Sequence, residues 1–291
     1  MPELPEVETV RAGLHRLVVD RLISRVICYN PKSLQIDKNA LETKVINHKI
    51  RNVRRRGKVL IIDLDSDFSI IVHLKMTGQL VFVGEQRFGA GHPSTSLISK
   101  LPDRSTRVEF KFDGGSKLFF NDQRKFGWIK LVSTRQLNDS DLIKKMGPEP
   151  LEKEFSTEVF KERLSKRPRS SIKAALLDQS VIAGIGNIYA DESLWGAKIH
   201  PSTKIIDIND SEIDTLRKEI IDVLSIAIDK GGSTDRNYLD AEGKRGSYLG
   251  FARVFRRENQ PCLRCGGKII KIRVAGRGTH LCPKEQIIGD I

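Results

Sequence analysis

Apolar residues recur every three or four positions at the start of the chain. Val7, Val10, Leu14, Leu17 and Val18 fall on one face, with Pro5, Glu6 and Glu8 at the opening, which predicts an amphipathic helix. From Leu22 to about Val132 the pattern becomes that of strands. Expected strands run Leu22 to Tyr29, Val59 to Leu64, Ser69 to Leu74, Leu80 to Val83, Val108 to Phe112, Lys117 to Phe120 and Trp128 to Val132. Turns such as Asp113-Gly114-Gly115 separate them, so a sandwich or barrel is expected. The stretch Gly84 to Arg104, rich in Gly, Pro and Ser, reads as a long surface loop.

Gly147-Pro148-Glu149-Pro150-Leu151 ends this pattern, and helices are predicted after it at Thr157 to Ser165, Ser171 to Gln179, Asn187 to Lys198 and Ser211 to Lys230. Ala183-Gly184-Ile185-Gly186-Asn187 lies between the middle two. Its glycines allow a close backbone approach, and the free N–H groups of the next helix suit a phosphate; a tight corner between packed helices reads equally well.

Charge adds a partner to this outline. The chain of 291 residues carries a formal +13 with pI near 9.6, and nine Lys or Arg against the single acid Glu258 fall between Phe251 and Lys284. Such a concentration points to a polyanion, nucleic acid first. No apolar run approaches a membrane span of about 20 residues, and no signal peptide is evident, so a cytoplasmic protein is expected. Cys28 stands apart, whereas Cys262, Cys265 and Cys282 cluster; an odd trio reads as a metal site better than as a disulfide framework.

The first residues carry chemistry of their own. Loss of Met1 would expose the secondary amine of Pro2, and an α-amino group titrating at about 7.7–8.0 is partly nucleophilic near neutral pH. Pro2, Glu3, Pro5 and Glu6 also suit a helix start, where proline and acids are at home.

Seven blocks occur in order: Pro2-Glu3-Leu4-Pro5-Glu6-Val7-Glu8-Thr9, Arg56-Gly57-Lys58, His73-Leu74-Lys75-Met76-Thr77-Gly78, Asp122-Gln123-Arg124-Lys125-Phe126-Gly127, Gly147-Pro148-Glu149-Pro150, Gly184 to Glu192, and Arg277-Gly278-Thr279-His280-Leu281-Cys282-Pro283. Together they resemble the formamidopyrimidine-DNA glycosylase family of bacteria over nearly the whole chain. The resemblance implies an α+β multidomain fold: an N-terminal helix with a β-sandwich, a helix-two-turns-helix domain, and a C-terminal β-hairpin like a zinc finger, with DNA in a groove between the domains. The implied division is 1–133, a linker at 134–156, the helical domain at 157–230, a lesion-covering loop at 231–250 and the hairpin at 251–291.

The implied activity is excision of oxidised purines, 8-oxoguanine and formamidopyrimidines, from double-stranded damaged DNA, followed by strand cleavage through β and δ elimination, in base excision repair. Glycosylases take the target base out of the stack to reach its glycosidic bond. By resemblance, Pro2 is the nucleophile at sugar C1′, Glu3 the neighbouring acid, Lys58 a proton donor near the lesion, and Glu6 a neighbour of the flipped base. Met76, Arg124 and Phe126 match a wedge that fills the hole left in the duplex, for which a thioether, a guanidinium and an aromatic ring are suited. Asn187 and Lys173 match phosphate contacts, and Arg169 joins them by charge alone. Arg277 matches an arginine that contacts phosphate and assists δ elimination. Before the strand at Val108, where the family often has a histidine-containing segment, this chain has Ser105-Thr106-Arg107, and Arg107 is the candidate phosphate contact.

The hairpin departs from the family pattern of four cysteines. Cys262, Cys265 and Cys282 fit a structural zinc site, but Glu285 stands fourth, leaving Glu285 or His280 as the other ligand. A hairpin without metal, packed through Ile269, Ile270, Ile272 and Val274, is the alternative. A monomer is expected. An endonuclease VIII type enzyme for oxidised pyrimidines and a damaged-DNA binder without catalysis are the competing functional readings.

Overall fold

The computed structural model describes residues 1–233 and 248–288, and the chain divides into two compact units, Met1–Lys144 with Lys230–Ser247, and Lys145–Asp229 with Tyr248–Ile291. In chain order the first unit contains α1 (Leu4–Val18), β1 (Ile23–Cys28), β2 (Leu34–Gln35), α2 (Lys38–Lys44), β3 (Ile50–Arg56), β4 (Val59–Leu64), β5 (Phe68–His73), β6 (Gly78–Val83), β7 (Arg87–Gly91), β8 (Thr106–Phe112), β9 (Lys117–Asp122), β10 (Trp128–Ser133) and the short α3 (Asp141–Lys144). The second contains α4 (Thr157–Ser165), α5 (Ile172–Leu177), α6 (Asn187–Gly196), α7 (Asp210–Asp229), β11 (Ile270–Val274) and β12 (Arg277–Leu281). The lesion-covering loop expected at 231–250 lies for the most part outside the described residues.

The first unit is two five-stranded sheets, ordered β1-β8-β9-β6-β7 and β2-β10-β5-β4-β3. All neighbours are antiparallel except the short parallel pair β2 and β10. Because side chains alternate along a strand, every second residue faces the shared core: Val108, Phe110 and Phe112 from one sheet, Leu60, Ile62 and Leu64 from the other. The apolar face of α1, from Val7 to Val18, joins this core and packs against β3 and β7. Gly13 lets the helix approach β7, because a Cβ there would overlap the Phe88 ring. Gly13→Ala is therefore expected to destabilise the first unit by about 1–3 kcal/mol through overpacking, read as a lowered denaturation midpoint; an unchanged midpoint would contradict this packing.

One expectation needs correction here, and one strand was not anticipated. Gly84 to Arg104 is not simply a surface loop: β7 lies inside it, Phe88 enters the main core, and Leu97 packs with Val81 and Phe119 on the outer face of the sheet. The arginine-rich stretch before Lys58 is a full strand, β3, whose Val53 is buried while Arg54 pairs with Asp63 across the ladder at 2.6 Å.

In the second unit, α4 and α5 open on Ser156 and Ser171, whose hydroxyls accept from the N–H groups of Val159 and Ala174. Helix α6 is buried nearly all round, including Asp191, Glu192 and Ser193. Polar groups at that depth require partners. Glu192 meets this need by accepting the N–H groups of Arg253, Val254 and Phe255 and the Tyr248 hydroxyl, at 2.7 to 3.1 Å. Burial nonetheless pushes its carboxyl above the usual range. The hairpin β11–β12 turns through Ala275 and Gly276, both left-handed (φ +49° and +71°), as a tight two-residue turn demands. No helix among the described residues is long and apolar enough to cross a membrane.

Candidate active site and nucleic-acid interface

Pro2 and Glu3 are buried at the head of α1, and Glu6 closes the start of that helix by accepting the Glu3 N–H at 2.8 Å. The other oxygen of Glu6 accepts the Ser233 N–H at 2.7 Å. Glu6 thus serves as a helix cap and as the anchor for the chain that follows Lys230. Met1 is 45 % exposed, so its removal meets no packing obstacle.

Lys58 lies in the two-residue turn between β3 and β4, where Gly57 supplies the left-handed first position (φ +55°). The lysine is 5 % exposed. Arg55, just before the turn, reaches Glu8 of α1 at 3.0 Å, and Glu8 also holds Arg11 at 2.7 Å. The turn bearing Lys58 is in this way tied to the helix headed by Pro2 and Glu3.

His73 ends β5 opposite Val59, its ring 5.6 Å from that of Trp128 and its Nδ1 accepting the Lys75 N–H at 3.0 Å. Burial first, then the charges of Lys75 and Lys58, lowers its pKa to about 3. The unfolded chain binds this proton near pH 6.5 and the folded chain does not, so this group's contribution to stability is present above pH 6.5 and is lost as pH falls toward 3. The His73 ring resonances are expected not to shift between pH 8 and about 5 in NMR spectra; titration near 6.5 would contradict a neutral buried imidazole.

The wedge residues sit on two turns that share one carboxylate. Lys75 and Lys125 adopt left-handed backbone (φ +52° and +60°) immediately before Met76 and Phe126. Phe126 is 54 % exposed, with the Arg124 guanidinium 4.8 Å from its ring centre, and Met76 is half-buried. Asp122, fully buried, accepts the Thr77 hydroxyl, the Arg124 N–H at 3.2 Å and the Gly127 N–H at 2.7 Å. Asp122 opens the motif that ends at Gly127, yet the sequence pattern does not show that it joins two turns. An acid at a strand end just ahead of a turn with Gly127 was the available signal.

Lys173 departs from its expected role. Its ammonium is completely buried, 2.5 Å from Asp191 and 2.7 Å from the Thr279 hydroxyl, and so is closed to a phosphate. The other oxygen of Asp191 accepts the His280 N–H at 2.9 Å. Asn187, at the start of α6, donates to the Gly278 carbonyl at 3.0 Å, while its own buried side-chain oxygen has no hydrogen-bond partner among the described residues. These contacts seat β12 on α5 and α6, and exposed Arg277 lies just ahead of the seated segment Gly278 to His280. Arg107 also departs from expectation: it is buried, and it donates to the Asp122 carbonyl at 2.7 Å and the Thr106 carbonyl at 3.3 Å, a brace across the strand ends. Arg169 is exposed, two residues before the cap of α5.

The sulfurs of Cys262, Cys265 and Cys282 lie within 4.8 Å of one another, a set that could hold a metal ion. Burial raises the Cys262 thiol, but the N–H groups of Cys265 and Arg264, the Trp195 indole and Cys282 outweigh it and bring the pKa to about 7. Cys282 is pushed up to about 11, by burial first and then by its cysteine neighbours. Of the two candidates for a fourth ligand, neither joins the cluster. His280 turns to Asp191 and meets the Phe255 ring edge to face, and Glu285 faces Arg264 and Lys198.

Comparison with known proteins agrees with these features. Residues 1–129 match the formamidopyrimidine-DNA glycosylase N-terminal domain, 146–238 the H2TH domain of the same proteins, and 259–284 a zinc finger found in FPG and IleRS. A formamidopyrimidine-DNA glycosylase of Ligilactobacillus salivarius is 42 % identical over 288 residues, covering 99 % of both chains. A Lactococcus lactis variant in complex with DNA containing Fapy-dG superposes with TM-score 0.87 at 37 % identity, covering 99 % of this chain and all of that one. The wild-type L. lactis protein in complex with DNA containing an oxidised pyrimidine gives 0.86 at 36 %, over 99 % and 100 % of the two chains. This chain belongs to the formamidopyrimidine-DNA glycosylase family.

Proposed function

We propose that the protein excises oxidised purines from duplex DNA and cleaves the strand at the resulting abasic site, acting in base excision repair. The observation that carries this reading is the tie between α1, headed by Pro2 and Glu3, and the turn that buries Lys58, in a chain of this family. Once Met1 is removed, the Pro2 nitrogen bonds to C1′ as the glycosidic bond breaks and the base departs with its electron pair. Glu3 manages protons at the opening sugar, and Lys58 serves as proton donor beside it. The covalent iminium then acidifies the neighbouring C2′ hydrogen, which opens the route to β elimination, and Arg277 assists the δ step. Met76, Arg124 and Phe126 fill the gap left by the extruded nucleotide, Glu6 lies near the flipped base, and Asn187 and Arg169 meet phosphates. Lys173 and Arg107 act within the fold, holding elements that bear those contacts. Cys262, Cys265 and Cys282 hold a structural zinc ion that fixes the C-terminal hairpin.

The test is strand cleavage of duplexes carrying 8-oxoguanine or thymine glycol. The expected result is faster cleavage of the 8-oxoguanine duplex, by about tenfold or more in kcat/KM, leaving a 3′-phosphate. The L. lactis complex with an oxidised pyrimidine makes the second duplex an informative competitor. A reversed preference would favour an endonuclease VIII type specificity, and tight binding without cleavage of either duplex would favour a damage binder.

A further inference from the structure

The turn after Cys282 in the C-terminal hairpin is closely fixed, and it carries Glu285 three residues on from the last cysteine. The turn Cys282 to Gln286 is closed by the Glu285 and Gln286 N–H groups donating to the Cys282 carbonyl at 3.1 and 2.9 Å. Gln286, 1 % exposed, pins it further, accepting the Cys282 N–H at 3.0 Å and donating to the Ile199 carbonyl at 2.9 Å. The Gly267 N–H is directed at the Cys265 sulfur at 3.4 Å. Cys265 and Cys282 stand 3.5 Å apart, and all three sulfurs lie within 4.8 Å of one another.

Glu285 occupies the fourth position in sequence but not in space. One of its oxygens is 3.5 Å from the Arg264 Nε and 3.6 Å from the Lys198 Nζ, and no oxygen of it joins the three sulfurs. Arg264 is itself held over the Trp195 ring, 3.7 Å from its centre, and donates to the Trp195 carbonyl. A glutamate carboxylate oxygen sits two atoms farther from the backbone than a cysteine sulfur, and from this turn the Glu285 oxygen reaches Arg264 and Lys198.

We infer that the hairpin coordinates its zinc through the thiolates of Cys262, Cys265 and Cys282, with no fourth ligand from the described residues and that position open to an exchangeable small ligand such as water or a low-molecular-mass thiol, while Glu285 pairs with Arg264 and Lys198. Structural zinc sites are ordinarily closed by four protein ligands, so an open position would distinguish this hairpin. The inference rests on the metal-holding reading of the three cysteines and not on the glycosylase reading, because its readouts concern coordination only.

Zinc-edge X-ray absorption on the purified full-length protein tests it, with and without added β-mercaptoethanol, for the wild type, Glu285→Gln and Glu285→Cys. The wild type is expected to show three sulfurs at about 2.3 Å and one lighter atom that added thiol replaces with sulfur. Glu285→Gln should retain that exchange. Glu285→Cys should show four sulfurs without thiol, no exchange, and a slower loss of zinc to a competing chelator by about tenfold or more. Exchange absent from the wild type but present in Glu285→Gln would make Glu285 a ligand and overturn the inference. A wild type without zinc, beside a Glu285→Cys variant that binds one ion, would overturn it as well.

Discussion

Pro2→Gly is expected to reduce the borohydride-trapped adduct with abasic or 8-oxoguanine duplex by at least about a hundredfold, while binding to a duplex with a reduced abasic analogue stays within about threefold. The argument is chemical. A secondary amine that adds to a sugar aldehyde equivalent can lose water only to a cationic iminium, which withdraws electrons strongly from C2′. A glycine amine forms an imine that can shed its proton and lose that pull, and it also gives up the ring that fixes the direction of attack. Pro2 is buried beside buried Glu3, so its ring also positions the nitrogen through packing. An unchanged thermal midpoint for the variant would assign the loss to chemistry. Trapping at wild-type levels would mean that another amine, Lys58 first among those described, forms the adduct.

Lys173→Ala is expected to destabilise the second unit by about 3–5 kcal/mol, because it leaves the completely buried Asp191 charge without its cation. Double replacement of Lys173 and Asp191 by Met and Leu should recover a large part of that loss, since an apolar pair of similar volume avoids the desolvation of both ions. Chemical denaturation of the two variants and the wild type checks this. A phosphate-contacting lysine would behave otherwise: its removal would weaken DNA binding and flatten the salt dependence while leaving stability alone. Equal stability of Lys173→Ala and wild type would therefore restore the phosphate role.

The sequence disclosed the elements whose side chains repeat with a clean period. The helix from Leu4 announces itself by apolar spacing of three and four, the strand at Val108 by alternation, and those at Val59 and Lys117 by short apolar runs; Val59 to Leu64 has the expected bounds. Strand β3 was hidden because arginines fill it, their charges satisfied across the ladder by Asp63 and from α1 by Glu8. Strand β7 was hidden by three small residues, Gly89, Ala90 and Gly91, which resemble a loop in composition and lie flat against neighbours in space. At the site, local motifs brought out Pro2, Lys58 and the wedge residues as candidates. The buried setting of Lys173 was not legible because its partners, Asp191 and Thr279, lie 18 and 106 positions away, a separation no spacing rule spans. Asp122 went unassigned because its work, joining two turns, exists only once β6 and β9 are paired.

Helix α6 places a constraint on when the second unit can be completed during synthesis. Its Asp191 already has Lys173 beside it, but Glu192 is acceptable inside the unit only through groups from Tyr248 to Phe255, so a nascent chain that has emerged only as far as residue 196 holds a helix with one uncompensated acid. Such a chain must keep that face of α6 in water until about sixty further residues have followed. Premature collapse around it is therefore disfavoured, and the helical unit and its hairpin close as one late event.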